Sequence, residues 1–182
     1  MKYLKRIFFG LAVILVALVV GSVFLPQHVS VHRAITIRAE GDVVFVYVNS
    51  LRKFNEWSPW AVRDPDMELT FTGPESGVGA GMEWRSDEPG VGIGSEVIIE
   101  SRPYEYVNLS LDFGDRGGGT SDFRLNTGEG RTRVTWGFET DLGYNPVTRY
   151  MGLMFDGWIG PDYELGLQRL KSLVETGSPT GG

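Results

Sequence analysis

The sequence predicts an α+β protein in which a curved antiparallel sheet surrounds one long C-terminal helix, with a single transmembrane helix before it. Three observations lead to this class. An uncharged apolar run lies near the N-terminus, apolar and polar residues alternate through the middle of the chain, and apolar residues at helical spacing follow them. A one-sided apolar sheet and a single apolar helix can cover each other if the sheet curls around the helix.

The composition excludes several classes of protein. The 182 residues include 17 basic and 23 acidic side chains, for a net charge of −6, and no cysteine. The length predicts one main domain. A chain without cysteine has no disulfide scaffold, thiolate metal site or cysteine nucleophile. The negative charge argues against a nucleic-acid partner, because neutralising phosphates requires a basic surface.

Residues 7–25 (IFFGLAVILVALVVGSVFL) carry no charge. At about 1.5 Å per residue they can cross a hydrocarbon core of about 30 Å, and they predict a transmembrane helix. Lys2, Lys5 and Arg6 precede the run and Arg33 is the next arginine or lysine after it. The positive-inside rule therefore places residues 1–6 in the cytoplasm and the domain on the extracytoplasmic side, periplasmic or extracellular. A cleaved signal peptide and a buried core helix are the alternatives.

The remaining chain divides by composition into three parts. Residues 26–33 are polar and predict a connector, residues 34–176 predict the domain, and residues 177–182 (GSPTGG) predict a disordered tail.

Alternation in the domain predicts an antiparallel meander. A first strand contains Val31, Ala34, Ile35 and Ile37. Residues 42–50 predict a short helix with Asp42 near its cap, although their β-branched content also fits a strand. Further strands are predicted between glycine- or proline-bearing turns. They span residues 67–72, 81–85, 95–101, 106–113, 121–126 and 132–140.

Each strand of the meander has one apolar and one polar face, which predicts a sheet buried on one side. The apolar face contains Leu69, Phe71, Met82, Trp84, Val97, Ile99, Val107, Leu109, Leu111, Phe113, Phe123, Leu125, Val134, Trp136 and Phe138. The polar face contains Glu83, Arg85, Glu96, Glu100, Asn108, Asp112, Arg124, Arg133 and Glu139.

The last segment has a helical period. Asn145 and Pro146 predict its cap and first turn, and Pro161 predicts a break or kink within it. One apolar stripe follows this helix. It contains Met151, Phe155, Trp158, Leu167, Leu170 and Val174.

Four sequence segments resemble a known family. They are NEWSPW (residues 55–60), GPESGVGAGMEW (73–84), TRVTW (132–136) and IGPDYELGLQRLKSLVE (159–175). Together with the order of elements, they are similar to the SRPBCC or START-like superfamily, in its polyketide cyclase/dehydrase and lipid transport branch, over roughly residues 30–176. The resemblance implies a helix-grip fold with an apolar pocket between sheet and helix. Carried over by position, the ligand-binding wall would contain Trp60, Trp84, Trp136, Met151, Phe155 and Trp158.

This resemblance and the apolar run together suggest a membrane-anchored module that binds a small hydrophobic or lipid-like ligand. A cyclase or dehydratase-type enzyme is an alternative, with Asp156, Tyr144, Tyr150 and Tyr163 as candidates for acid–base chemistry. A protein-interaction domain with a collapsed, dry core is another. The binding hypothesis includes no catalytic residue, no metal and no cofactor, and it names no protein partner.

Overall fold

The computed structural model describes residues 2–179 and contains six α-helices and seven β-strands within that range. The helices are α1 (Lys2–Ser22), α2 (Gly41–Val48), α3 (Leu51–Trp57), α4 (Pro59–Arg63), α5 (Pro146–Gly152) and α6 (Phe155–Thr176). The strands are β1 (His28–Ile37), β2 (Glu68–Thr72), β3 (Gly81–Arg85), β4 (Ile93–Arg102), β5 (Tyr106–Asp112), β6 (Gly118–Gly128) and β7 (Arg131–Asp141). Residues 180–182 of the expected tail lie outside the described range.

The seven strands form one curved antiparallel sheet in the order β1-β7-β6-β5-β4-β3-β2. Strands β2 to β7 are a meander, as the alternation predicts, and β1 closes the sheet by pairing with β7. The concave face packs against α6, which lies mainly over β1, while α2 contacts β6 and β7, and α3 and α4 contact α6. The expected α+β class is confirmed.

The first strand begins earlier than the sequence suggests. Six residues of the expected connector 26–33 lie in β1, where His28 pairs with Asp141 and Arg33 with Trp136. Their polar side chains concealed the strand, because the outward positions of an antiparallel sheet are free to be polar.

The predicted faces of β4 are reversed. Glu96 and Ile98 point into the protein and are 8% and 1% exposed, whereas Val97 and Ile99 lie on the outer face. The register of β4 against β5 shifts between Ile98 and Glu100, which marks a β-bulge. Because Val97, Ile98 and Ile99 are all apolar, the sequence does not decide which of them face inward. The bulge also shifts the inward and outward positions partway along the strand, so one alternation does not describe all of β4.

Helix α6 continues through Pro161 without the predicted break. A proline removes the hydrogen bond to the carbonyl four residues earlier, here that of Gly157. Gly157 and Pro161 are both exposed, so water can satisfy this carbonyl. The predicted short helix at residues 42–50 is present as α2.

One described helix, over Tyr3–Ser22, is long and apolar enough to cross a membrane. Its side chains are largely exposed, which argues against the alternative of a buried core helix. Length and composition fit a signal sequence equally well.

Candidate functional site

The interior between the sheet and helices α3, α4 and α6 is filled by aromatic rings, here called the aromatic cluster. The Trp136 indole stacks on the Tyr163 ring, with centroids 3.8 Å apart and planes 9° from parallel. Edge contacts join the other rings to this stack. The cluster consists of Phe54, Trp57, Trp60, Phe123, Trp136 and Tyr163.

A second group of apolar side chains lies at the edge of the sheet where β3 and β5 end. Several apolar side chains there contact the core and yet remain only half-buried. Helix α6 packs mainly against β1 and to a smaller extent against β7. We call these half-buried apolar residues, taken together as a candidate binding wall, the groove. It is bordered by Trp84, Leu111, Phe113, Phe155 and Ile159.

Glu96 lies on β4, next to the groove residue Leu111. Its strand register places it between Met82 on β3 and Leu111 on β5, both apolar. The carboxylate oxygen Oε1 is buried and has no hydrogen-bond partner. Loss of hydration disfavours the charged form, so burial raises the pKa of Glu96 from 4.5 to about 8. A largely protonated carboxyl group, with one buried oxygen that has no partner among the described residues, is available to donate a hydrogen bond at neutral pH.

Glu96 faces a second set of polar groups across the interior. Trp136 Nε1 donates to Ser121 Oγ at 2.9 Å, and Ser121 donates to the Gly137 carbonyl at 3.0 Å. Burial, with a smaller contribution from the charge of Glu96, raises the pKa of Tyr163. The indole nitrogens of Trp136 and Trp57 thus have partners, whereas Oε1 of Glu96 has none among the described residues.

Two arginine contacts fix α6 beside the groove. Arg33 of β1 crosses α6 over Gly160 and binds Asp156 at 2.9 Å and Glu164 at 2.6 Å. Arg63 of α4 binds Asp162 at 2.5 Å and donates to the carbonyl of the loop between β3 and β4. These contacts hold α6 between the first strand and the groove's loop.

The six residues predicted to line a pocket are distributed over three places. Trp60 and Trp136 belong to the aromatic cluster, and Trp136 is only 2% exposed. Trp84 and Phe155 border the groove, where Trp84 contacts Phe113 and Phe155 contacts Phe138. Met151 and Trp158 lie on the outer surface near the start of α6. The sequence analysis missed Glu96, and its charge offered no signal because the strand phase was misassigned.

The four candidates for acid–base chemistry are also separated. Only Tyr163 lies inside the domain. Asp156 is held by Arg33, which lowers the pKa of Asp156. Tyr150 donates to a carbonyl of α1, and Tyr144 is exposed.

Two surface clefts accompany the groove. One of about 340 Å³ lies between α3 and the hairpin of β2 and β3, and one of about 440 Å³ lies over the start of β1 and the end of β7. Neither cleft is lined by any of the six predicted ligand residues. Residues 2–179 contain no group of histidine and carboxylate side chains suited to a metal ion.

Comparison with known families gives one match over most of the chain. The sequence profile described as "Polyketide cyclase / dehydrase and lipid transport" matches residues 28–175. No curated protein matches the chain.

Solved structures share the fold at low sequence identity. The Aha1 dimer from Colwellia psychrerythraea is 18% identical with a TM-score of 0.58, covering 82% of this chain and 98% of its own. Truncated norcoclaurine synthase from Thalictrum flavum is 14% identical with a TM-score of 0.58, covering 82% and 94%. The di-domain ARO/CYC StfQ from the steffimycin biosynthetic pathway is 11% identical with a TM-score of 0.61, covering 82% and 51%. At these identities the likeness concerns the fold alone.

Proposed function

The chain belongs to the polyketide cyclase / dehydrase and lipid transport family, and from this membership we propose that its domain binds a small apolar or lipid-like molecule in the groove, while α1 anchors the domain to a membrane. The family supports a ligand-binding domain. The nature of the ligand, its location and the anchor are parts of the proposal.

The observation that carries the proposal is the buried oxygen Oε1 of Glu96, which has no hydrogen-bond partner among the described residues and lies on the strand beside the half-buried Leu111. Burying a polar group without a hydrogen-bond partner is unfavourable, so such a group in a folded interior calls for an explanation. A ligand that accepts a hydrogen bond from Glu96 would supply the missing partner. Ligand sites of this kind combine an apolar wall with a few polar groups that fix orientation.

The raised pKa of Glu96 narrows the chemistry of the ligand. Because the carboxyl group is mostly protonated at neutral pH, its best partner is a neutral acceptor such as a carbonyl or hydroxyl oxygen. We therefore propose a mainly apolar ligand with one oxygen function. Trp84 and Phe155 would contact its apolar part, Trp60 and Trp136 would close the inner end, and Met151 and Trp158 would lie outside the entrance.

The direct test is a binding titration with matched variants. The test uses the fragment 26–182, after cooperative melting has shown that the fragment folds. An environment-sensitive apolar dye should bind to the wild-type fragment. Leu111→Trp should abolish binding, because the larger ring would fill the groove. Val97→Trp adds the same ring to the outer face of the neighbouring strand and should leave binding unchanged. The proposal would be refuted if the wild-type fragment bound no apolar probe, or if both variants lost dye affinity equally.

An enzyme of the cyclase or dehydratase type is the second candidate, and one observation favours it. A carboxyl group with a pKa of about 8 can donate and accept a proton near neutral pH, and Tyr163 lies in the same interior. Turnover of a poly-β-ketone substrate that is lost in Glu96→Gln, with binding retained, would establish the enzyme. Binding without turnover in the wild type would exclude the enzyme and favour the binding module.

A further inference from the structure

An exposed apolar surface lies where α5 meets α6. Large apolar side chains are exposed there within twelve consecutive residues of the chain. Scattered apolar residues are ordinary on soluble proteins, but a contiguous group marks an interaction surface. We call this group the α5–α6 apolar surface. It consists of Val147, Met151, Leu153, Met154 and Trp158.

Helix α5 packs alongside the last turn of α1. The Tyr150 hydroxyl donates to the Leu18 carbonyl at 3.0 Å, and Arg149 Nη1 donates to the Ser22 carbonyl at 3.1 Å. A Cβ atom at position 21 would lie 2.8 Å from the Tyr150 oxygen, so Gly21 permits this close approach. Arg149 is buried, which makes the contact part of the folded structure.

These contacts fix the height of α5 relative to the proposed membrane span. Leu18 lies four residues before the end of α1, about 6 Å inside the helix. The span Tyr3–Ser22 is about 30 Å long, equal to the thickness of the hydrocarbon core. When α1 crosses the bilayer, its last turn and α5 are both at the membrane interface, where tryptophan and tyrosine are enriched.

The residues of the groove lie at the same end of the domain. Because the sheet is antiparallel, the start of β1 lies beside the end of β7, and the ends of β5 and β3 lie at that edge too. Trp84 is the second-last residue of β3 and Phe113 follows β5 directly. Phe155 begins α6. Glu96 is three residues from the start of β4, about 10 Å inside this edge.

From these relationships we propose that the α5–α6 apolar surface rests in the interface of the bilayer that α1 crosses, so that the groove exchanges its ligand directly with the membrane. The proposal depends on the anchoring function proposed above. It identifies the source of the ligand as the lipid phase rather than the aqueous phase.

The charges near the surface indicate which lipids it needs. Asp156, the carboxylate within this segment, is paired with Arg33, and Arg149 is turned toward α1. Apolar burial therefore provides the attraction, without a cluster of basic side chains to bind anionic lipid. Vesicles of neutral phosphatidylcholine are a sufficient probe.

The absence of native cysteine permits a direct depth measurement. Two variants of the full chain, Met154→Cys and Val43→Cys, are each labelled at the new cysteine with a polarity-sensitive nitrobenzoxadiazole dye. Each labelled protein is then reconstituted into phosphatidylcholine vesicles that contain spin-labelled acyl chains. Met154 and Val43 are both 47% exposed. Val43 lies in α2, beyond the far end of β1 and about 30 Å from the edge where the groove opens. Leu15→Cys in α1 reports on the anchor itself.

We expect blue-shifted emission and strong quenching by the spin-labelled lipid at positions 154 and 15, and aqueous emission at position 43. Leu153→Cys should repeat the result of position 154. Quenching at 15 without quenching at 153 and 154 would overturn the docking surface and leave the anchor intact. The lack of quenching at all labelled positions would overturn the anchor and the docking surface together. Equal quenching at 43 and 154 would overturn a docking surface located at α5 and α6.

Discussion

The Trp136 ring lies parallel to the Tyr163 ring at 3.8 Å, joining the middle of β7 to the third turn of α6. Both side chains are almost fully buried, and Ser121 satisfies the indole nitrogen. This stack joins the sheet to the helix that covers it. We therefore expect it to contribute more to stability than to ligand selection.

Replacing Trp136 by alanine should destabilise the protein strongly. Removal of a fully buried aromatic ring leaves a cavity and costs about 3 to 5 kcal/mol. Trp158→Ala removes the same ring from a side chain that is 51% exposed, and it should change stability by only about 0.5 kcal/mol. Denaturant unfolding of the full chain in detergent measures both. Equal effects would contradict the placement of Trp136 in the core.

Gly166 should not tolerate a methyl group. A Cβ atom there would lie 2.7 Å from the Trp136 ring and 3.1 Å from Pro59. Because both neighbours are rigid, we expect Gly166→Ala to destabilise by about 1 to 3 kcal/mol. Gly157→Ala on the same helix meets no atom within 4 Å and should stabilise by about 0.5 to 1 kcal/mol, the usual gain for alanine over glycine in a helix. Stabilisation by both changes would refute the close approach of α6 to the sheet.

Glu96 should make the folded protein less stable as the pH rises. Its pKa is 4.5 when exposed and about 8 in the fold, so the folded state binds more protons between these values. The free energy of unfolding is therefore highest below about pH 4.5 and decreases as the pH rises to 8. Above pH 8 it is lower than this maximum by an amount on the order of 5 kcal/mol.

Glu96→Gln should remove this dependence, since the amide keeps the shape of the protonated carboxyl group and does not titrate. Glu83→Gln, on an exposed position of β3, should leave the pH dependence in place. Thermal melting between pH 5 and pH 9 compares the three proteins. A wild-type stability that is flat over this range would show that the Glu96 carboxyl is hydrated or paired.

The basic residues before the apolar run predict the orientation of the anchor. A reporter that is active only outside the cytoplasm should be active when fused after the C-terminal residue, and the full protein should stay with membranes after an alkaline wash. Release into the soluble fraction with a new N-terminus near Ser22 would establish the signal peptide instead.

The sequence alone predicted most strands of the sheet. The predicted strands at residues 81–85, 106–113 and 132–140 lie within one or two residues of β3, β5 and β7. In these strands apolar and polar residues alternate without interruption, so only one phase buries the apolar side chains. The start of β1 was not predicted because its exposed side chains are polar, although the backbone of β1 pairs with β7 over ten positions.

The candidate site was less predictable, because its principal polar residue depends on a local irregularity. The run Val97-Ile98-Ile99 is apolar throughout, and hydrophobicity alone cannot state which of its residues point inward. The bulge after Ile98 decides the phase and turns Glu96 toward the interior. The rings predicted to form one wall contact different partners. Trp136 contacts Trp57, which the predicted wall did not include, whereas Trp84 contacts Phe113.

The pairing of the first strand with the last has a consequence for biogenesis. His28 lies opposite Asp141, a separation of 113 residues (141 − 28), and the ten pairs of this ladder form only after the seventh strand has been made. Pairings between such distant segments close slowly, because a long loop loses entropy before contacts compensate for it. An N-terminal helix that enters the membrane first would hold β1 next to the bilayer during the whole of this interval. Folding would thus be completed on the far side of the membrane, after translocation, with the edge of β7 exposed to chaperones and proteases until β1 covers it.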